Sequence, residues 1–108
     1  MNYRIKSIPV FDKQFKRLAT TYPSLKNDLI KLIESLAGNP KQGKALGNNF
    51  YKIRLSIASK GRGKSGGARI ITYIKISETS IFLTSIYDKS ENSNISEKEL
   101  EQIFKLIP

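Results

Sequence analysis

Three stretches in the second half of the chain constrain the fold more than any other feature. Residues 50–57 (FYKIRLSI) alternate without a break: Tyr51, Ile53, Leu55 and Ile57 point one way, and Lys52, Arg54 and Ser56 point the other. Residues 69–76 (RIITYIKI) alternate again, with Ile70, Thr72, Ile74 and Ile76 in one row and Arg69, Ile71, Tyr73 and Lys75 in the second. A short SETS turn then leads into IFLTSIY at 81–87. Three consecutive strands with short connections predict an antiparallel meander.

The rest of the chain supplies one more strand and the helices. YRIKSI at 3–8 predicts a short strand ended by Pro9. Phe11, Phe15, Leu18, Ala19 and Tyr22 then recur on one helical face, and Pro23 ends the run. Ser24 is placed to cap a second helix with Leu25, Leu29, Leu32, Ile33, Leu36 and Ala37 on one side, stopped by Gly38 and Pro40. KQGKALGNN at 41–49 reads as a loop. Near the end, Ser96 and Glu99 form an S-x-x-E capping box before a stripe of Leu100, Ile103, Phe104 and Ile107. The expected order is β-α-α-β-β-β-α, a single α+β domain over residues 1–108. Its sheet is expected to be four-stranded and mainly antiparallel, with the helices packed on one face. A chain of 108 residues leaves no room for a second core.

Charge is concentrated on the strand-rich part. The chain carries 19 Lys and Arg against 9 Asp and Glu, a formal net charge of +10. Residues 41–75 hold nine of the basic residues and no acidic one. Such a block favours a polyanion through long-range steering and counterion release. Lys52 and Arg54 lie on the same face of one strand, and Arg69 opens the next. Like charges on neighbouring strands destabilise a sheet unless a ligand compensates. A site that binds phosphate and stabilises charge on its oxygens needs this arrangement.

Composition removes several chemistries. There is no Cys and no His, so a thiol nucleophile, a disulfide framework, a Cys-ligated zinc and an imidazole base are excluded. No metal site and no cofactor are expected. Apolar runs are only a few residues long, and MNYRIKSIPV contains no signal-peptide core, so a soluble cytoplasmic protein without membrane contact is expected. GRGKSG at 61–66 matches G-x-G-x-x-G in letters. Strand-forming sequence follows it, however, and a pyrophosphate site needs a helix there. It reads instead as a basic glycine-rich loop whose Lys60, Arg62 and Lys64 contact a nucleic-acid backbone. Tyr73 and Tyr87 are candidates for stacking a base or hydrogen-bonding a phosphate, or for ordinary strand packing.

Taken together, YKIRLSIASKGRGKSGGARIITYIK, the following IFLTSIYDKSE and the closing amphipathic helix resemble the RelE/HigB family of bacterial toxins. Within it they resemble most the HigB-like branch with a long basic Gly-rich loop. The likeness covers nearly the whole chain, since the order of elements matches as well. It implies a RelE-like fold and the toxin of a toxin–antitoxin pair. It further implies an mRNA interferase, a metal-independent endoribonuclease that enters the 30S A site of the ribosome, cuts mRNA there, inhibits translation and arrests growth. The implied partner is a cognate antitoxin with an acidic segment and a DNA-binding domain, contacting the basic sheet face or the last helix.

By position, the resemblance places Lys52, Arg54, Arg69 and Lys89 in the catalytic site; the residues themselves make Lys60, Arg62, Lys64, Tyr73 and Tyr87 the candidates for contact with RNA or the ribosome. The sequence departs from the pattern at 92–96 (NSNIS), where some relatives carry a tyrosine. Ile95 is the nearest counterpart, and Tyr87 is the candidate substitute. RNA cleavage without a metal needs an acceptor for the 2′-hydroxyl proton, cations for the developing phosphorane charge and a donor for the leaving 5′-oxygen. Lys52, crowded by Arg54 and Arg69, has its pKa pushed down and suits the first role. Arg54 and Arg69 suit the second, and Lys89 or Arg62 the third. Two other readings stay open on the residues alone: a ParE-like gyrase inhibitor of the same fold superfamily, and a basic RNA- or ribosome-binding module without catalysis.

Overall fold

The computed structural model describes residues 2–61, 63, 66–92 and 94–108. Strand β1 (Arg4–Ser7) leads into helix α1 (Pro9–Thr21), whose first position is the proline that ends the strand. Proline fits there because the first helical amide has no intrahelical partner. Helix α2 (Leu25–Gly38) follows, then strands β2 (Lys44–Gly47), β3 (Phe50–Leu55), β4 (Ala68–Lys75) and β5 (Ser80–Asp88), and helix α3 (Glu97–Phe104). A 3-10 turn at Ala58–Lys60 begins the basic loop.

The five strands form one mixed sheet in the order β1-β5-β4-β3-β2. β1 lies parallel to β5, and every other pairing is antiparallel. The α+β class and the predicted meander are both present. The sheet has five strands rather than four, because 44–47 pairs with β3 instead of forming a loop. A bulge in β5 at Thr84 interrupts the alternation: Ile71 faces Ser85 while Thr72 faces Leu83. The Thr84 hydroxyl donates to the Ile71 carbonyl at 2.9 Å, which satisfies the group the bulge buries.

The helices divide between the two faces rather than gathering on one. α1 and α2 bury Phe11, Leu18, Leu25, Leu29, Leu32 and Leu36 in the core with Ile53, Leu55, Ile70, Ile74, Ile81, Leu83 and Ile86. α3 lies on the opposite face. Phe104 meets the Tyr73 ring edge-on at 5.6 Å, and Tyr73 packs on Phe50 at 5.1 Å. Phe50 stands two and four residues before Lys52 and Arg54, so it shares their face. The expected capping box starts α3: the Glu99 amide donates to Ser96 Oγ, and the Ser96 amide donates to the Glu99 carboxylate. Ser24 differs from expectation, because its hydroxyl makes no N-terminal cap on α2. It accepts from the Ser59 amide at 2.8 Å and donates to Asp28 at 2.8 Å, tying the loop's root to the helix.

Candidate functional site

The register of the β3–β4 hairpin creates the central feature. Arg54 pairs directly with Arg69, and Lys52 pairs with Ile71. On the outer side of β3, Lys44 of β2 pairs with Lys52. Four cations are thereby fixed on three adjacent strands by backbone pairing alone. Lys89, just beyond β5, is held by its amide donating to the Gly67 carbonyl at 3.0 Å. Gly67 is required there, since a Cβ would stand 2.0 Å from the Leu55 carbonyl oxygen.

A cleft of about 1100 Å³ is lined by residues of α2, the 42–44 segment, β3 and its continuation to Ala58, with Arg69 and Lys89. Its lining brings Lys44, Lys52, Arg54, Arg69 and Lys89 together with Lys31 of α2, beside one carboxylate, Asp28. Lys52 is half-buried and donates to Asn94 Oδ1 at 3.4 Å. Burial pushes its pKa below the ordinary 10.5, and the charges of Lys44, Arg69, Arg54 and Lys89 push it further the same way. The expected crowding of Lys52 is therefore present, with burial as the larger cause. Arg69 was expected to open to a ligand, yet it is 4% exposed. Its Nη1 donates to the Ala68 carbonyl at 3.1 Å, and burial and Arg54 both work against its charge.

The remaining sequence candidates fall elsewhere. Lys60 sits at the root of the loop and is 2.6 Å from Asp88 Oδ1, its side chain nearly covered. Hydrogen bonding to Asp88 raises its pKa and keeps it charged. Tyr73 packs between Phe50 and Phe104. Tyr87 pairs with Arg69 across the sheet and is buried, and its hydroxyl has no hydrogen-bond partner among the described residues. Burial raises its pKa, which Arg69 partly opposes. Arg62 and Lys64 lie outside the described residues.

Sequence reasoning missed Lys31, Lys44 and Asp28. Lys44 was hidden by reading β2 as a loop. Lys31 and Asp28 stand in a helix pattern whose polar side carries no sign of what it faces. Among the described residues, no cluster of acidic side chains could hold a metal ion, and no helix is long and apolar enough to cross a membrane. Chemically, the cleft offers a dense, partly desolvated set of cations for the nonbridging oxygens of phosphate, with one lysine shifted towards neutrality.

A sequence model of the RelE toxin of the RelE/RelB toxin–antitoxin system matches residues 9–107. Among solved structures, the chain is similar to a double arginine-to-alanine mutant of the Escherichia coli toxin RelE in the free state. The TM-score is 0.66 at 18% identity, with 100% of each chain covered. It is also similar to the intact E. coli RelBE toxin–antitoxin complex, with a TM-score of 0.60 at 19% identity over 80% of this chain and 95% of that one. Against the isolated E. coli RelE toxin the TM-score is 0.52 at 20% identity, covering 97% and 99%. At these identities the structural likeness bears on the fold alone.

Proposed function

The chain belongs to the RelE toxin family, and from that premise we propose that it is the toxin of a toxin–antitoxin pair, a metal-independent endoribonuclease that cuts mRNA on the ribosome. The observation that carries this reading is the cleft, where five cations from α2, β2, β3, β4 and the segment after β5 accompany a sixth, Lys52, whose pKa is lowered. A gyrase inhibitor has no need of that arrangement.

In the proposed reaction Lys52 takes the proton of the 2′-hydroxyl as that oxygen forms a bond to the adjacent phosphorus. Arg54 and Arg69 hold the nonbridging oxygens, with Lys44 adding charge. The bond to the 5′-oxygen breaks as Lys89 supplies a proton, leaving a 2′,3′-cyclic phosphate and a 5′-hydroxyl. Arg62 and Lys64 are assigned to the ribosomal RNA backbone rather than to chemistry. Lys60 is left out of that set, because its charge is engaged by Asp88. The proposed partner is an antitoxin with an acidic segment that covers the cleft or contacts α3, by analogy with the RelBE complex that this chain resembles in fold.

The test is cleavage of end-labelled mRNA with and without translating ribosomes. Wild type is expected to cut only when ribosomes are present. Lys52→Met is expected to lose on the order of 10²–10⁴ in rate while keeping its fold. With its pKa below 10.5, Lys52 is more fully deprotonated as pH rises, so kcat/KM should climb with pH and level off below the ordinary lysine value. Ribosome binding without cleavage would establish the non-catalytic module instead. Full activity in Lys52→Met would remove the lysine from the mechanism.

A further inference from the structure

Lys52 presents its amine to a cluster of cations with which no carboxylate pairs among the described residues. Lys44 faces it across β2 and β3, Arg54 stands two residues on along the same strand face, and Lys89 lies within electrostatic reach. The ion pairs among the described residues are Arg17–Glu91, Lys60–Asp88 and Lys75–Glu78, which leave these four side chains out. We infer that Lys52 is an acylation site, taking the acyl group of a small acyl phosphate whose phosphoryl end is held by Lys44, Arg54 and Lys89. The inference rests on the phosphate-binding reading of the cleft given above, and not on the cleavage of RNA.

Reach, protonation and charge all suit the reaction. Residues directly opposite in an antiparallel pair have Cβ atoms about 4.5–5.5 Å apart, and residues two apart on one strand face are about 6.6 Å apart. An acyl phosphate carries its carbonyl carbon and its phosphoryl oxygens only a few bonds apart. The Lys52 amine can therefore meet the carbonyl while the neighbouring cations hold the phosphate. Lys44 and Arg54 are exposed and Lys89 is half-buried, so an anion from solution reaches them. Burial and the surrounding cations hold the Lys52 pKa below 10.5, which raises the share of the neutral, nucleophilic amine. The hydrogen bond from Lys52 to Asn94 Oδ1, at 3.4 Å, brings no negative charge to oppose this. Lys60 is the opposite case, because Asp88 at 2.6 Å keeps it protonated.

In the reaction the lone pair of Lys52 Nζ forms a bond to the carbonyl carbon, and the carbonyl π electrons move to oxygen. The bond from that carbon to the bridging oxygen then breaks, and its electron pair leaves with inorganic phosphate. The nitrogen gives its extra proton to solvent. Negative charge builds first on the carbonyl oxygen and then on the departing phosphate, and the fixed cations stabilise both. The product is an amide at Lys52, which has neither the positive charge nor the basic lone pair of the amine. Under the nuclease proposal, the acylated chain should lose cleavage as Lys52→Met does.

The experiment treats the full chain with acetyl phosphate and, separately, with the uncharged N-hydroxysuccinimidyl acetate, and follows each lysine by mass spectrometry. The readout is the rate at Lys52 divided by the rate at Lys98, which is exposed on α3. With acetyl phosphate the ratio should be on the order of tenfold or more, a small share of the effective molarity that holding two reactants in place can supply. The Lys52 rate should saturate with reagent and fall when inorganic phosphate is added. With the uncharged ester the ratio should be lower, and phosphate should not change it. Arg54→Gln should lower the ratio for acetyl phosphate more than for the ester, since the ester arm accounts for any change in Lys52 protonation. The same ratio with both reagents, a Lys52 rate indifferent to phosphate, or equal rates at Lys52 and Lys98 would each overturn the inference. Any of these in a protein that cuts mRNA would leave the nuclease reading intact. Selective, phosphate-sensitive acylation of Lys52 in a protein that cuts no mRNA would overturn the nuclease reading and leave this one standing.

Discussion

Asp88 is the most consequential side chain outside the cleft, and replacing it tests how the basic loop is rooted. It ends β5 and is 2% exposed. Its Oδ1 accepts from Lys60 Nζ at 2.6 Å, the Ser90 amide at 3.0 Å and the Ser90 hydroxyl at 2.8 Å, and its Oδ2 accepts from the Tyr22 hydroxyl. Burial alone would raise the Asp88 pKa; the bonds from Lys60, Tyr22 and Ser90 outweigh it and hold the group well below the usual carboxylate range. The Lys60 side chain is only 12% exposed, so water screens the pair weakly. Asp88→Asn leaves that ammonium without a counter-charge. Breaking a buried pair from one side costs about 3–5 kcal/mol, a large part of the 5–15 kcal/mol typical of a domain. With a urea slope of about 1–3 kcal/mol per molar, the midpoint should fall by roughly 1–5 M. A double-mutant cycle with Lys60→Met isolates the pair from the Ser90 and Tyr22 bonds. Because the folded pKa is depressed, the contribution is complete above the unfolded value of about 3.9 and declines as pH falls below it. The difference between wild type and Asp88→Asn should therefore narrow on acidification below about pH 4. A loss under about 1 kcal/mol at neutral pH, or a gap unchanged by acid, would refute the reasoning, since surface pairs behave that way.

Two further outcomes follow from the same geometry. Gly67→Ala drives a Cβ into the Leu55 carbonyl and should cost about 1–3 kcal/mol by thermal unfolding, because the obstacle is backbone and cannot rotate away. Arg54→Gln removes one of two arginines that face each other across β3 and β4, so stability should rise by about 0.2–1 kcal/mol in urea while ribosome-dependent cleavage falls.

The sequence disclosed the parts of the fold that repeat with a clear period. The alternation at 50–57 and 69–76 located β3 and β4 to within two residues, and with them the shared face of Lys52 and Arg54. β2 escaped because KALG is four residues long, sits at an edge and has no alternation to detect. Its loss from the reading also hid Lys44. The bulge at Thr84 escaped because a one-residue insertion shows only against a partner strand. Lys60 was assigned to a phosphate-binding arm because its carboxylate partner lies 28 positions away, and only the closed fold brings the two together. The same limit explains Asp28: a helix's polar side gives no hint that a cleft lies against it. The side taken by α3 depended on Phe104 meeting Tyr73, a contact between residues 31 positions apart in sequence.

The placement of the cations relative to the core explains how so small a domain tolerates them. The central strands β4 and β5 carry the fully buried Ile70, Ile71, Ile74, Ile81 and Ile86, each contributing about 1.5–3 kcal/mol of apolar burial. A like-charged cross-strand pair costs at most about 1 kcal/mol, so a few such pairs are affordable. Lys52 and Arg54 stand on β3, whose outer edge is covered only by the four residues of β2, and both keep contact with water. Arg69 is the exception, buried on a central strand directly across from Arg54. It is the cation of the cleft from which water is most excluded. Burial that lowers the charged form's stability in the empty cleft also strengthens its attraction for an anion, because both effects arise from the same loss of solvent. A surface array of the same six charges would be more comfortable for the fold and weaker towards phosphate. In the proposed reaction the cleft would act by depth as well as by charge, with the half-buried Lys52 of lowered pKa nearer water and Arg69 buried on the neighbouring strand.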